Sequence, residues 1–103
     1  MTQLRHLQKE VFRNKCAKGF NTSNVEKELC LIQGELAEVY QAYLKKDGTL
    51  GEELADVAIY LLGLSEMLKI DLQKEIEQKI SINDQRQYEV IEGVLTRTYE
   101  PKR

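Results

Sequence analysis

A chain of 103 residues is enough for one modest core. With 42% hydrophobic and 31% charged residues, a net charge of -2 and one proline, it reads as a soluble, all-α single domain over 1–103. There is no basic excess to grip a nucleic-acid backbone, no apolar run long enough for a membrane span, and no apolar centre behind Met1 to make a signal peptide, so the expected setting is cytoplasmic, without nucleic-acid or membrane partners.

The pattern Leu4, Leu7, Val11 and Phe12 predicts a helix over 3–18, stopped by Gly19. After a loop, Ser23 stands three residues before Glu26, a capping-box pattern that opens a second helix. Its apolar stripe is Val25, Leu29, Ile32, Leu36, Val39 and Tyr43, and Asp47-Gly48 ends it through glycine's access to left-handed backbone. Thr49 and Glu52 form a second capping-box pattern, and a third helix runs to about Lys69. Apolar nearly all round, this helix is expected to be buried. Asp71 can cap a fourth helix to about residue 85, with Leu72, Ile76 and Ile80 on its inner face. In the tail, Val90, Ile91, Val94, Leu95, Thr96 and Thr98 flank Glu92-Gly93 and suggest a short β-hairpin. The short second connection makes the second and third helices antiparallel neighbours. Four such helices leave the third short of cover, so a homo-oligomer, a dimer or tetramer, is expected to complete the bundle.

Cys16 and Cys30 lack metal-ligand spacing, and His6 is the sole histidine, which disfavours zinc and histidine-based catalysis. The two cysteines are expected to be reduced and structural. Chemistry here must run on carboxylates, and two patterns offer them: Glu35-Leu-Ala-Glu38 and Glu53-Leu-Ala-Asp56. Acids three apart project from one helix face. Between Leu54 and Leu64 only Asp56 and Tyr60 carry polar side-chain atoms, so a buried Asp56 would have to be paired or metal-bound. Glu35 sits at the margin of its helix's apolar face, with Glu38 just beyond. Two carboxylates about 5 Å apart repel by roughly 3 kcal/mol at an effective dielectric of 20. A divalent cation resolves that repulsion, and an all-oxygen donor set favours Mg²⁺ or Mn²⁺, which take further ligands from substrate phosphates. The plain alternative is that Glu-x-x-Glu pairs decorate solvated helix faces.

Gly34-Glu35-Leu36-Ala37-Glu38, then Glu52-Glu53-Leu54-Ala55-Asp56-Val57-Ala58-Ile59-Tyr60, then Lys79-x-x-x-Asn83-x-x-Arg86-x-Tyr88, resembles the signature of the MazG-like all-α nucleoside triphosphate pyrophosphohydrolases. The resemblance covers about residues 20–90. It implies a homo-oligomeric four-helix bundle that hydrolyses a nucleoside triphosphate to the monophosphate and pyrophosphate, in nucleotide-pool clean-up. It also implies that Glu35, Glu38, Glu53 and Asp56 hold Mg²⁺, with water attacking the α-phosphorus in line and Glu38 orienting or deprotonating it. Lys79, Asn83 and Arg86, on one face of the fourth helix, would contact phosphates or nucleoside. Phe20 and Asn21 would contact the base, and Tyr60 would stack on base or sugar. One departure is Gly34, where many relatives carry a further glutamate. The competing function is a catalytically silent helical oligomer that binds nucleotide or a protein partner. Action on phosphoribosyl-ATP or dUTP would differ from the first reading only in base recognition.

Overall fold

The computed structural model describes residues 3–103. Four helices are followed by a hairpin: α1 (Leu4–Lys18), α2 (Val25–Lys45), α3 (Leu50–Met67), α4 (Leu72–Gln85), β1 (Gln87–Ile91) and β2 (Val94–Tyr99). The chain divides into two compact units, Met1–Leu72 and Gln73–Arg103. No helix among the described residues is long and apolar enough to cross a membrane.

In the first unit, α3 packs on both α1 and α2. Gly19, with φ 73, caps α1 as its sequence position predicts. The start of α2 is shifted from its expected cap. Asn24, not Ser23, caps the helix, its side chain accepting from Lys27 N. The reason lies upstream: the Asn21 carbonyl oxygen accepts from both Ser23 N and Asn24 N, winding the loop one residue further before the helix begins. Likewise Thr49 precedes α3 without closing a capping box. Its hydroxyl donates instead to the Asp47 carboxylate at 2.6 Å, and Asp47 also accepts from Thr49 N. The left-handed residue at the end of α2 is Lys46, with φ 54, while Gly48 takes its own positive φ later in the same turn.

Burial departs from the expected pattern more than element order does. Only the C-terminal half of α3 is enclosed, at Leu62, Gly63, Leu64 and Ser65. Its first turns are open, with Leu54 54% exposed, so α3 is not a helix buried on all sides. On α1 the residues that face inward are Gln8 and Lys15, spaced a heptad apart, rather than the leucines. Gln8 is buried because its amide is matched on every side. It donates to Glu66 Oε1 and the Ile70 carbonyl and accepts from Leu72 N, tying α1 to the chain just beyond α3.

The second unit holds most of α4 and the hairpin. No residue of α4 is buried, and Ile76 and Ile80, expected on an inner face, are exposed. β1 and β2 pair antiparallel, with Ile91 opposite Val94 across the two-residue turn Glu92-Gly93. Both turn residues have positive φ, 51 and 81, the mirror-image turn geometry whose twist suits a hairpin. Arg86 follows α4 and donates to both oxygens of Glu100, from Nε at 2.6 Å and from a terminal nitrogen at 3.1 Å, closing the unit from helix end to strand end.

Candidate metal centre and ligand cleft

Glu35 and Glu38 on α2 and Glu53 on α3 each bring one carboxylate oxygen to within 4.8 Å of the others. The one-turn spacing within α2 puts its two acids on a common strip, and the hairpin of α2 and α3 sets Glu53 against them. Two oxygens of this group, Glu35 Oε2 and Glu53 Oε2, are shielded from solvent and have no hydrogen-bond partner. Burial pushes the Glu35 carboxyl above its ordinary range, and the negative charges of Glu38, Asp56 and Glu53 push it further the same way. Glu53 is raised for the same reasons, burial first and then Glu38 and Asp56. The charges that act most strongly on these two groups are all negative. The arrangement therefore has what a hard cation needs: oxygen donors only, a common focus, and orphaned buried acceptors. Two oxygens on one Mg²⁺ lie at most about 4 Å apart, so a small closure among the three side chains would bring them into range.

Asp56 does not take the place expected of it. It is exposed, because the open first half of α3 leaves it facing solvent. Its charge still reaches Glu35 and Glu53. Half-buried acids, each with one shielded and unpartnered oxygen, stand instead at Glu35 and Glu53.

A cleft of about 840 Å³ opens in the same unit, lined by residues of α1, the loop after it, α2 and α3. It brings together Phe20, Asn21 and Tyr60, the three residues singled out for base or sugar contact. Phe20 is 56% exposed on the cleft wall. Tyr60 joins cleft to acidic cluster. Its phenol is raised by burial, then by Glu35 of the cluster, Glu28 of the cleft, Asp56 and Glu38. Asn21 lines the cleft, yet its amide is occupied by the chain itself. Its nitrogen donates to the Asn24 carbonyl at 2.8 Å and to Glu28 Oε2 at 2.9 Å, while its oxygen accepts from Ser23 N and Asn24 N. It shapes the loop and holds Glu28.

Within this cleft lies an ion pair that the sequence reading missed. Lys15 Nζ donates to Glu28 Oε1, with side chains 10% and 1% exposed. The signal for it was present: Glu28 falls within the apolar stripe of α2, between Val25 and Ile32, and Lys15 lies a heptad after Gln8. Gly63 completes the arrangement, since a Cβ there would stand 3.1 Å from Lys15 Cδ. Glycine lets the lysine stem lie against α3.

The remaining candidates, Lys79, Asn83 and Arg86, belong to the second unit. There Arg86 is engaged by Glu100 and by Asn83 Oδ1, at 2.8 Å from the latter. Arg97 and Arg103 also reach Glu100, which holds its carboxyl down at about 2. Lys79 is lowered by burial and then by Arg103 and Arg86. Cys16 and Cys30 are free and exposed. Comparison with family models, with curated proteins and with solved structures returned no match.

Proposed function

We propose that the protein is a Mg²⁺-dependent pyrophosphohydrolase that converts a (deoxy)nucleoside triphosphate to the monophosphate and pyrophosphate. The observation that carries this reading is the pair of orphaned buried oxygens on Glu35 and Glu53, focused with Glu38 on one point beside a cleft of nucleoside size. The resemblance of the two acidic patterns and their spacing to the MazG-like signature supports the same assignment.

Glu35, Glu38 and Glu53 would hold the cation, with Asp56 at the rim, and Mn²⁺ could replace Mg²⁺. When bound, such an ion polarises water toward a nucleophile and offsets charge on the leaving pyrophosphate. The chain's own residues supply the rest. Glu38, the exposed member of the triad, can take the proton as the water oxygen bonds to the α-phosphorus and the bond to the bridging oxygen breaks. Phe20 and Tyr60 offer aromatic surface for the nucleoside, and Tyr60, within the field of both Glu28 and Glu35, places its sugar end toward the acids.

A homo-oligomer is part of the proposal. Leu36, Tyr40, Tyr43 and Leu44 on α2 are 53–62% exposed, more apolar surface than one short helix leaves to water without a partner.

The deciding assay incubates the chain with Mg²⁺ and a panel of canonical and modified (d)NTPs, and measures pyrophosphate separately from orthophosphate. Pyrophosphate with matching monophosphate is expected from one or a few bases. Release from none of them would overturn the enzyme and leave a nucleotide-binding module.

A further inference from the structure

The buried Lys15–Glu28 pair has no part in the acidic cluster, and a buried ion pair is weak evidence of a role in stability, because well-packed apolar residues often replace one at little cost. Its position gives it another use. Both residues line the cleft, and they differ in access, Lys15 at 10% and Glu28 at 1% of side-chain exposure. A lysine ammonium has three donors. One goes to Glu28 Oε1, its sole hydrogen-bond partner among the described residues. Glu28 Oε2 is taken up by Asn21, and the Asn21 amide is itself saturated. The pair therefore presents a ligand with donors, from a lysine pinned at its head by Glu28 and along its stem by α3 at Gly63.

We propose that Lys15, positioned by Glu28, is the specificity-determining residue of the cleft and selects nucleobases that project an oxo group over those that project an amino group. The proposal rests on the nucleoside reading of the cleft given above. An exocyclic group reaches further from the ring than a ring nitrogen, so it is the first polar atom to meet the pair. A carbonyl accepts from Lys15, as guanine O6 accepts from lysine in duplex DNA. An exocyclic amino group brings donors against donors, and the carboxylate that could accept from it is sealed behind Lys15 and Asn21. A base of that kind leaves the two remaining donors of the buried ammonium unmatched, which is where polar sites discriminate most strongly.

The test uses the full chain and nucleosides without phosphate, so that neither Mg²⁺ nor the acidic cluster enters. Two matched pairs differ at the exocyclic group and, with it, at the proton on the neighbouring ring nitrogen: deoxyuridine against deoxycytidine, and deoxyinosine against deoxyadenosine. Dissociation constants from NMR titration are expected to favour the oxo member of each pair by about tenfold or more. Lys15→Met/Glu28→Gln, which removes both charges and keeps an acceptor for Asn21, is expected to bring each pair to within about twofold. Binding of all four nucleosides without that preference, or a preference that survives the double substitution, overturns the role of Lys15 while leaving the nucleoside cleft intact. Binding of none overturns both. Should the double variant not fold, the wild-type pairs decide alone.

Discussion

Lys15 on α1 donates to Glu28 on α2 across the interior of the first unit, and neither side chain is more than 10% exposed. Removing one partner leaves the other buried with its charge. Lys15→Met is therefore expected to destabilise the protein by about 3–5 kcal/mol in urea unfolding, while Lys15→Met/Glu28→Gln recovers most of that loss. Equal instability of the single and double variants would mean that packing of the lysine stem, not its charge, is what the fold needs. Gly63→Ala probes that stem directly, because its Cβ meets Lys15 Cδ at 3.1 Å, closer than side chains normally approach.

The acidic cluster gives the opposite kind of response. Glu35 and Glu53 are raised above their ordinary range in the folded chain, so the folded state holds protons that the unfolded state has released. Without metal, stability contributed by these two groups should rise as pH falls from neutrality through their raised values toward the ordinary value of 4.5, and Mg²⁺ at neutral pH should act in the same direction. Calorimetry is expected to show a higher Tm with Mg²⁺ at pH 7. Glu35→Gln should raise the Tm of the metal-free chain and abolish the Mg²⁺ response. A Tm indifferent to Mg²⁺ in the wild type would remove the cation site.

Order and type of every element were legible in the sequence, because hydrophobic spacing and turn residues act locally: Gly19 ends α1 and Glu92-Gly93 turns the hairpin at the places they suggest. Caps were less legible, since Ser23 and Asn24 compete within one loop and the arbiter is Asn21, whose side chain takes both their amides. Burial was least legible. Hydropathy assigns Leu54 to the core and Lys15 to the surface, and the structure reverses both, because a glycine on α3 and a carboxylate on α2 receive the lysine. Phe20, Asn21 and Tyr60 came from the family resemblance and do share a cleft. Asp56 was singled out by the acidic pattern, by the family resemblance and by an α3 apolar nearly all round, and the last of these fails at the helix's open first half.

In the second unit, Glu100 accepts from Arg86, Arg97 and Arg103, and its carboxyl is depressed to about 2. A depressed acid contributes stability that is present above its unfolded value, 4.5, and is lost as pH falls through the folded one. The β1–β2 amide resonances should therefore collapse between about pH 4.5 and 2 in the wild type. Glu100→Gln should weaken the hairpin already at pH 7 and flatten that titration. An unchanged hairpin in the variant would leave strand pairing and the Glu92-Gly93 turn as its only support.

Gly34 sits inside α2 where an added Cβ would touch nothing within 4 Å, so no packing requires glycine there. Gly34→Ala is expected to stabilise the protein by about 1 kcal/mol through helix propensity alone. Gly34→Glu places a further acid directly before Glu35. Isothermal titration with Mn²⁺ should show tighter or additional binding in that variant, whereas an unchanged isotherm would place the new carboxylate outside the reach of the cluster.

Asp56 is exposed, so replacing it leaves the interior of α3 untouched. Its charge nevertheless acts on Glu35 and Glu53, so it would be part of the field felt by a cation bound at the cluster. Asp56→Asn is expected to leave the oligomeric state intact and to raise the metal-free Tm slightly by relieving repulsion on Glu35 and Glu53, while lowering pyrophosphate release by about a hundredfold or more, a loss of about 3 kcal/mol of transition-state stabilisation. Loss of activity together with loss of the oligomer would make Asp56 an assembly residue. Retained activity would confine the centre to Glu35, Glu38 and Glu53, the three acids whose oxygens already converge.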